Sequence, residues 1–342
     1  MNAPHEAIAP PAGPAAGDAA MGLPWLVADV GGTNARFGWV DRPGGPVSHV
    51  RTLPVAGHAG PAEAAHAYLE GLGSELGTAF RPPQRGALAV ATAVVGDRIE
   101  FTNSAWRFST RQLQATLGLE SLAVLNDFEA LALSLPRLAP SQMRAHGAAP
   151  GGDTLAVIGP GTGLGVAGVV RAAGRWVALP GEGGHATLAA TDEQEAAWLA
   201  EVRRRHAHVS AERVLSGIGL PELLRAVCAC AGRPARELGA EQIVEAGLRG
   251  DDADCRQTLE AFCALLGSFA GNVALTLGAR GGVYIGGGIV PRLGDFFFAS
   301  RFREKFEAKG RFRDYLAPIP TAVITDTLAA LTGAAAALEQ PG

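Results

Sequence analysis

The alternation of apolar and polar residues predicts that the ordered chain begins with a β-hairpin. An apolar strand at residues 26–30 carries a single carboxylate, Asp29, and residues 35–40 are predicted to form its antiparallel return. Gly31, Gly32 and Thr33 lie at the tip, where the missing side chains let backbone N–H groups approach an anion closely. The segment alone fits a phosphate site and an ordinary glycine turn equally well.

Strands and helices alternate through the rest of the first half. The patterning predicts strands at residues 47–55, 85–95 and 122–125, and helices at residues 61–76, 110–117 and 128–135. This alternation indicates an α/β layer. Residues 137–153 are rich in proline and glycine and are predicted to be a weakly structured passage between two domains.

The second half repeats the hairpin and then becomes mainly helical. A strand, a turn containing Gly161, Thr162 and Gly163, and a return strand are predicted over residues 154–171. Two such hairpins suggest two facing halves with a ligand cleft between them. Helices are predicted at residues 193–206, 211–215, 221–231, 240–248 and 254–277.

A strand at residues 283–285 ends at three glycines, Gly286, Gly287 and Gly288. A turn of this kind suits the close approach of a nucleoside or a phosphate. It fits a crowded contact between a helix and a sheet as well.

Composition limits the classes of ligand. The chain has 342 residues, of which 48% are hydrophobic and 18% charged, as in a globular protein with room for two domains. A net charge of −4 without a basic cluster gives no electrostatic support for binding nucleic acid or an anionic membrane. No apolar segment is expected to reach the roughly 18 residues that span a bilayer. Cytoplasmic location and small-molecule ligands are therefore expected, and residues 1–22, rich in Ala, Pro and Gly, are predicted to be a disordered extension.

The lysines and cysteines exclude several kinds of site. The only lysines are Lys305 and Lys309, so neither a Walker-type lysine nor the early-strand lysine of protein kinases is present. If the protein handles a nucleoside triphosphate, Mg²⁺, backbone N–H groups, hydroxyls or arginine must meet its charge. The four cysteines have no zinc spacing and are predicted to be reduced and mostly buried.

Asp127 is the best candidate for a catalytic residue. It follows a predicted parallel strand and begins a helix, which is where open α/β sheets place their ligands. A carboxylate there can accept the proton of a substrate hydroxyl, and the neighbouring Asn126 offers a donor and an acceptor to a polyol. The alternative is that this Asn-Asp pair only caps the helix.

Three further polar residues could bind a sugar. Glu182 and His185 lie in a glycine-rich loop, and Glu212 follows downstream; together they supply acceptors and a donor for sugar hydroxyls without forming a zinc site. His185 could instead be an ordinary loop histidine. Glu212 could instead be a first-turn carboxylate in a helix that Ser210 caps.

Seven motifs in order resemble the bacterial glucokinase family of the hexokinase, actin and Hsp70-like ATPase superfamily, and the resemblance extends over about residues 23–315. They are VADVGGTNARF, TNSAW, LNDFEA, GPGTGLGVA, LPGEGGHA, HVSAERVLSG and GGVYIGGGIVPR. The resemblance implies a two-domain, actin-like (ribonuclease H-like) α/β fold with an interdomain cleft. A small α/β domain of residues 23–137 plus 325–342 and a larger, helix-rich α+β domain of residues 138–324 are expected.

The resemblance also implies an activity, the ATP-dependent phosphorylation of D-glucose at O6, and a role for each matching residue. Asp127 matches the catalytic base, and the matching sugar ligands are Asn126, Asp127, Glu182, His185 and Glu212. The first phosphate hairpin matches Ala28, Asp29, Val30, Gly31, Gly32 and Thr33. Asp29 is expected to organise Mg²⁺ through water. The second phosphate hairpin matches Gly161, Thr162 and Gly163, and the adenosine turn matches Gly286, Gly287 and Gly288.

Glucose and Mg-ATP are thus the expected ligands, with no nucleic acid and no membrane partner, and the resemblance allows a homodimer. Polyphosphate or ADP stays open as the phosphoryl donor. Two other functions also stay open: a kinase of another hexose on the same fold, and a sugar sensor without catalytic activity.

Overall fold

Two mixed β-sheets form the frame of the structure, a computed structural model that describes residues 24–101, 104–147 and 151–339. The predicted disordered extension at residues 1–22 lies outside the described residues. A short two-stranded ribbon, β5 (Arg98–Glu100) and β6 (Arg107–Ser109), stands apart from the two sheets.

The first sheet has five strands in the order β3-β2-β1-β4-β7. They are β1 (Trp25–Val30), β2 (Asn34–Val40), β3 (Val47–Pro54), β4 (Arg85–Val90) and β7 (Ser121–Asn126). Strands β1, β4 and β7 are parallel, and Val30, Val90 and Asn126 lie in one register row. The carboxyl ends of these three strands therefore meet at one edge, where ligands bind in open α/β sheets.

The second sheet has six strands in the order β11-β10-β9-β12-β13-β8. They are β8 (Met143–His146), β9 (Thr154–Pro160), β10 (Leu164–Ala172), β11 (Arg175–Leu179), β12 (Val283–Ile285) and β13 (Thr321–Ile324). Strand β9 is antiparallel to β10 and parallel to β12. The second hairpin and the glycine turn after β12 are consequently neighbours.

Helices pack around both sheets. They are α1 (Pro61–Leu76), α2 (Thr110–Thr116), α3 (Asp127–Ser134), α4 (Glu193–Arg203), α5 (Leu220–Cys230), α6 (Ala240–Arg249), α7 (Ala253–Leu277), α8 (Val290–Leu293), α9 (Asp295–Ala299), α10 (Phe302–Glu307), α11 (Arg313–Leu316) and α12 (Ala329–Leu338). Capping residues set the two ends of α7, the longest helix described. Asp252 accepts hydrogen bonds from N–H groups in the first turn of α7, and Gly278 ends the helix with a left-handed φ of 63°.

Helix α7 corrects one expectation from the sequence. Its 25 residues are long and apolar enough to cross a bilayer, so the expectation that no segment reaches that length is wrong. The most apolar 18-residue window of the helix is 83% buried inside the protein. It packs against α5, α6 and α10, as the central helix of a folded core does.

Helices α3 and α12 lie between the sheets. Helix α12 packs on α3 and on β1 and β4 of the first sheet, while α3 also contacts β9, β10 and β11 of the second. One apolar cluster accordingly joins Val27 and Ala89 of the first sheet to Val157 and Val169 of the second. The helix that begins at Asp127 therefore touches both halves of the molecule.

Three predicted elements differ in the structure. Residues 211–215 form a turn instead of a helix, because the chain just beyond them is hydrogen-bonded to the second hairpin. Gly217 N–H donates to Gly161 O at 2.7 Å. The passage at residues 137–153 contains strand β8, which pairs with β13 far along the chain. The strand predicted at residues 85–95 ends at Val90, where the N–H of Thr92 folds back on the Val90 carbonyl.

The prediction for the cysteines is confirmed. All four are free thiols; Cys228, Cys255 and Cys263 are buried and Cys230 is exposed.

Candidate active site

Asp29 lies near the end of β1 at the edge where the parallel strands finish. Residues alternate between the faces of a strand, so Asp29 shares its face with Trp25 and Val27, which pack toward the second sheet. Its Oδ2 is 3.8 Å from Nη1 of Arg36 on the neighbouring strand. Burial raises the pKa of Asp29, and the guanidinium of Arg36 partly offsets that rise.

Asp127 lies at the same edge, as the first residue of α3. Its Oδ1 accepts a hydrogen bond from the N–H of Phe128 at 3.0 Å. The pKa of Asp127 is raised to about 6, chiefly by burial; the negative charges of Asp29 and Glu182 add to the rise, while the backbone N–H groups of Phe128 and of Asp127 itself oppose it. A carboxylate with that pKa can hold a proton briefly and release it near neutral pH, as a general base must.

Asn126 caps the helix. Its Oδ1 accepts the same Phe128 N–H at 2.9 Å, and its Nδ2 donates to the carbonyl of Thr92 at 3.1 Å. The capping interpretation is therefore correct for Asn126. It leaves one N–H and one oxygen lone pair of the amide for a ligand.

The first hairpin leaves open space at its tip. Gly31 donates its N–H to Asn34 O at 2.9 Å and has no left-handed φ, and a methyl group added there would come no closer to the protein than 3.5 Å. The fold itself thus does not require glycine at this position. Ala28 and Val30 are buried in the core, so only their backbone atoms could contact a ligand.

The second hairpin is tied to Glu212. Its tip closes with a hydrogen bond from Gly161 N–H to Gly163 O at 2.9 Å, and Leu164 N–H donates to Oε2 of Glu212 at 2.9 Å. A methyl group on Gly163 would lie 2.5 Å from that same oxygen. Glycine at position 163 therefore makes room for the carboxylate.

The glycine turn after β12 is packed against the second hairpin. Gly286 N–H donates to Ile158 O at 2.8 Å, and a methyl group on Gly287, which has a φ of +75°, would overlap the carbonyl of Pro160. The crowded-contact interpretation thus holds for this part of the turn. Gly288 is exposed, with nothing within 4 Å of the position its Cβ would take, and is the part of the turn that a ligand could reach.

The loop after β11 brings the three predicted sugar ligands together. Nε2 of His185 is 3.9 Å from Oε2 of Glu182, and Nδ1 of the same ring is 3.9 Å from Oε1 of Glu212. The side chains of Glu182 and His185 are exposed by 67% and 62%. They are therefore accessible to a ligand.

Backbone contacts hold this loop against β10. Glu212 N–H donates to Gly184 O at 2.9 Å, and a methyl group on Gly184 would overlap the carbonyl of Leu164. The loop can pack this closely only because residue 184 is glycine.

One residue of the site is absent from the sequence-based predictions. The ring of Phe128, next to Asp127, lies over Gly159 and Gly165 of the second hairpin, and a methyl group on either glycine would overlap it. An aromatic residue in an apolar helical run is typical of core packing, so the pattern along the chain hides this contact. The spacing of the two glycines, which pair directly across the hairpin, is the signal that could have indicated it.

The acidic residues of the site suit a metal that also binds phosphate. Within the described ranges, no group of three or more His, Cys, Asp or Glu side chains is arranged to hold a metal ion. Mg²⁺ is usually held by one or two carboxylates, with water and substrate phosphates completing its octahedron. Asp29, partly buried beside the first hairpin, fits that role.

The two mixed sheets and their surrounding helices form the fold of an α/β sugar kinase. The chain belongs to the glucokinase family, whose model, described as Glucokinase, matches residues 26–341. The glucokinase of Aromatoleum aromaticum (strain EbN1) is 50% identical over 318 residues, which cover 92% of this chain and 95% of that protein. The family resemblance found in the sequence is thereby confirmed.

Solved structures agree with this assignment. The crystal structure of a glucokinase from an Antarctic psychrotroph is 38% identical, with a TM-score of 0.85 over 92% of this chain and 98% of that one. A ROK family glucokinase from Streptomyces griseus, solved in complex with glucose and AMPPNP, shares the fold at 18% identity. Its TM-score is 0.56 over 91% of this chain and 98% of that one.

Proposed function

We propose that the protein transfers the γ-phosphoryl group of ATP to O6 of D-glucose, giving glucose 6-phosphate and ADP. Membership of the glucokinase family supports glucose as the acceptor. The observation that carries the mechanism is the Asp127 carboxylate, partly buried at the edge of the first sheet, with its pKa raised to about 6.

In this proposal the sugar lies in the cleft, bound by Asn126, Asp127 and the cluster of Glu182, His185 and Glu212. His185, 3.9 Å from a carboxylate on each side, can donate to one hydroxyl while the two glutamates accept from others. This arrangement of acceptors and a donor suits a polyol and orients it for reaction.

The nucleotide is proposed to lie across the two hairpins. Backbone N–H groups at residues 31–33 and 161–163 would bind the phosphates, and the exposed Gly288 would allow the adenosine to approach the backbone closely. AMPPNP, an ATP analogue, in the Streptomyces griseus structure supports ATP as the donor. Asp29 would hold Mg²⁺, which neutralises phosphate charge when it is bound.

Asp127 is proposed to accept the proton of the O6 hydroxyl as that oxygen attacks the γ-phosphorus. The bond from the γ-phosphorus to the β,γ-bridging oxygen breaks as the new P–O bond forms, and ADP leaves. General-base assistance contributes roughly 10²- to 10⁴-fold to the rate, so alignment of the two substrates must contribute much of the rest.

We propose further that the two sheets belong to lobes of an actin-like, ribonuclease H-like fold. The lobes would be residues 23–137 plus 325–342 and residues 138–324, and they would close over the bound sugar. Closure would exclude water and so limit wasteful hydrolysis of ATP. Packing of α12 on β1 and β4 supports the return of the C-terminal segment to the first lobe.

The test is a coupled assay of ADP release with a panel of sugars, together with an assay of sugar phosphate formation with a panel of phosphoryl donors. Glucose with ATP should give the highest kcat/KM, and Asp127→Asn should lose turnover by roughly 10² to 10⁴ while the protein stays folded. Faster turnover of mannose or an amino sugar would indicate the kinase of another hexose. Tight glucose binding without ADP release would indicate the idle sensor.

Two further expectations stay predictions. A homodimer is to be tested by sedimentation equilibrium, and the cytoplasmic location by fractionation of cells that make the protein.

A further inference from the structure

Asp127 and the tip of the second hairpin belong to different sheets, yet phosphoryl transfer requires a fixed distance between them. Asp127 follows β7 of the first sheet, and Gly161–Gly163 lies between β9 and β10 of the second. Something in the fold must hold the base against the nucleotide side of the cleft, because a misplacement of about 1 Å can cost two orders of magnitude in rate.

The ring of Phe128 makes that connection. Gly159 and Gly165 are directly paired across the β9–β10 hairpin, and a methyl group on either one would overlap the ring. Neither glycine has a left-handed φ, so the backbone does not require glycine at these positions. The space that Phe128 occupies therefore explains both glycines.

The backbone of Phe128 connects the ring to the carboxylate. Its single N–H is shared by Oδ1 of Asn126 at 2.9 Å and Oδ1 of Asp127 at 3.0 Å. A displacement of the ring would therefore move the donor that orients the base.

Two more contacts fix the helix behind Phe128. A methyl group on Gly286 would lie 2.9 Å from Cδ2 of Leu131, and one on Gly333 of α12 would overlap the carbonyl of Ala130. Helix α3 thus rests on glycines of three elements, and Phe128 is the contact nearest the base.

We propose that Phe128 is a positioning residue of phosphoryl transfer: its ring, seated on Gly159 and Gly165, sets the distance between the Asp127 carboxylate and the phosphate-binding tip of the second hairpin. This inference rests on the function proposed above and assigns it one more residue. Phe128 itself touches no reacting atom. Its effect should therefore appear in kcat and in the pH profile, and much less in the KM for glucose.

The test compares Phe128→Leu and Phe128→Met, the latter keeping more of the length of the side chain, with the control Leu133→Ala. Leu133 is buried on the same helix, but the side chain that crowds Gly159 and Gly165 is that of Phe128, so truncating Leu133 should lower Tm and leave kcat within about twofold. We expect Phe128→Leu to lower kcat by about tenfold or more, with the KM for glucose changed less than about threefold.

The pH profile provides a readout that loss of packing alone would not move. Displacing the Phe128 N–H weakens a hydrogen bond that lowers the pKa of Asp127, so the acid limb of kcat/KM should shift to higher pH in Phe128→Leu and less in Phe128→Met. In Leu133→Ala the limb should stay where it is in the wild type.

Each outcome decides the proposal. A kcat within about twofold of wild type in folded Phe128→Leu overturns the inference, as does a loss that follows Tm in the manner of Leu133→Ala, with no shift of the acid limb. Wild-type turnover is measured first, with glucose and ATP. Its absence would overturn the proposed function, and the inference with it, whereas normal wild-type turnover with normal variants overturns the inference alone.

Discussion

At the scale of the residue, the protein keeps one carboxylate in an environment that opposes its ionised form. Asp127 is buried and near the charges of Asp29 and Glu182, and the backbone N–H groups of Phe128 and of Asp127 itself stabilise its anion. A base of this kind is useful at neutral pH and costs stability, because the ionised form is better solvated in the unfolded chain.

The first prediction concerns the pH dependence of activity. Because a protonated Asp127 cannot accept the hydroxyl proton, kcat/KM should fall as pH drops through about 6, the value to which burial raises the pKa of this group. The measurement is the coupled assay from pH 5 to about 8.5. A flat profile through this range would show that no group with this pKa must be ionised for turnover.

The second prediction concerns stability. The folded pKa of Asp127, about 6, lies above the ordinary 3.8, so stability is lost as pH rises from 3.8 toward 6. Replacing the ionised carboxylate with the amide in Asp127→Asn should therefore raise the free energy of unfolding at neutral pH by on the order of 2 kcal/mol.

Urea denaturation at neutral pH and near pH 4 measures this effect, and the gain should shrink at the lower pH, where the folded carboxyl is almost fully protonated and the unfolded one is partly protonated. An Asp127→Asn protein less stable than wild type at neutral pH would contradict the assignment of a penalised carboxylate.

At the scale of the element, the second hairpin and the sugar loop are joined through one side chain. Oε2 of Glu212 accepts the N–H of Leu164 at the end of the hairpin, while Oε1 faces His185 in the loop. A ligand that binds the sugar loop can thus shift the second hairpin, and one that binds the hairpin can shift the loop, because both contact the Glu212 carboxylate.

The third prediction separates the two tasks of Glu212. Glu212→Gln keeps an oxygen for the Leu164 N–H but loses the charge beside His185, so the KM for glucose should rise more than the KM for ATP. Glu212→Ala leaves that N–H without its acceptor and should raise both. Steady-state kinetics with each substrate varied in turn measure this, and equal changes in the two variants would contradict the link.

The sequence predicts those elements whose determinants are local. Proline in the first turn and apolar spacing mark α1, which has the predicted bounds Pro61–Leu76. Strand β8 was missed because its four residues owe their conformation to β13, nearly 180 positions away along the chain. The helix predicted at residues 211–215 was wrong because the chain there turns toward the second hairpin, a contact that no local pattern shows.

The residues of the site divide in the same way, into those that local motifs indicate and those that depend on distant contacts. Asp127, Glu182, His185 and Glu212 could be selected from motifs, and the structure brings the last three together. Phe128 could not be selected, because its partners are glycines of another sheet and a pattern of apolar residues does not show which surface a ring will contact.

At the scale of the whole molecule, the two lysines connect the chain at and just after α10 to α4 and α7. Nζ of Lys305 on α10 lies 2.7 Å from Oδ2 of Asp192 and 2.8 Å from Oε1 of Glu195 on α4. Nζ of Lys309 donates to the carbonyl and hydroxyl of Ser268 on α7 at 2.8 and 3.0 Å. Both ammonium groups are thus used inside the protein.

The fourth prediction concerns this buried network. Glu195 is 1% exposed, so Lys305→Met would leave its buried carboxylate without a counter-ion. The substitution should lower the free energy of unfolding by about 3–5 kcal/mol. Adding Glu195→Gln should recover much of the loss. The control Lys309→Met removes only bonds to neutral acceptors and should cost less, about 1.5–3 kcal/mol.

Urea denaturation of the four proteins at one pH provides the comparison. A double variant no more stable than Lys305→Met would show that the loss comes from packing and not from the carboxylate left without a counter-ion.

The contacts of the two lysines also affect how readily glucose, the substrate of the enzyme, can modify it chemically. The open-chain aldehyde of a reducing sugar condenses with free, unprotonated amines, and the resulting glycation ages proteins that are kept in glucose. Here the side chain of Lys305 is 6% exposed and its amine is ion-paired, and the amine of Lys309 donates two hydrogen bonds. Prolonged incubation in concentrated glucose should therefore leave the mass of the lysine-containing C-terminal peptides unchanged.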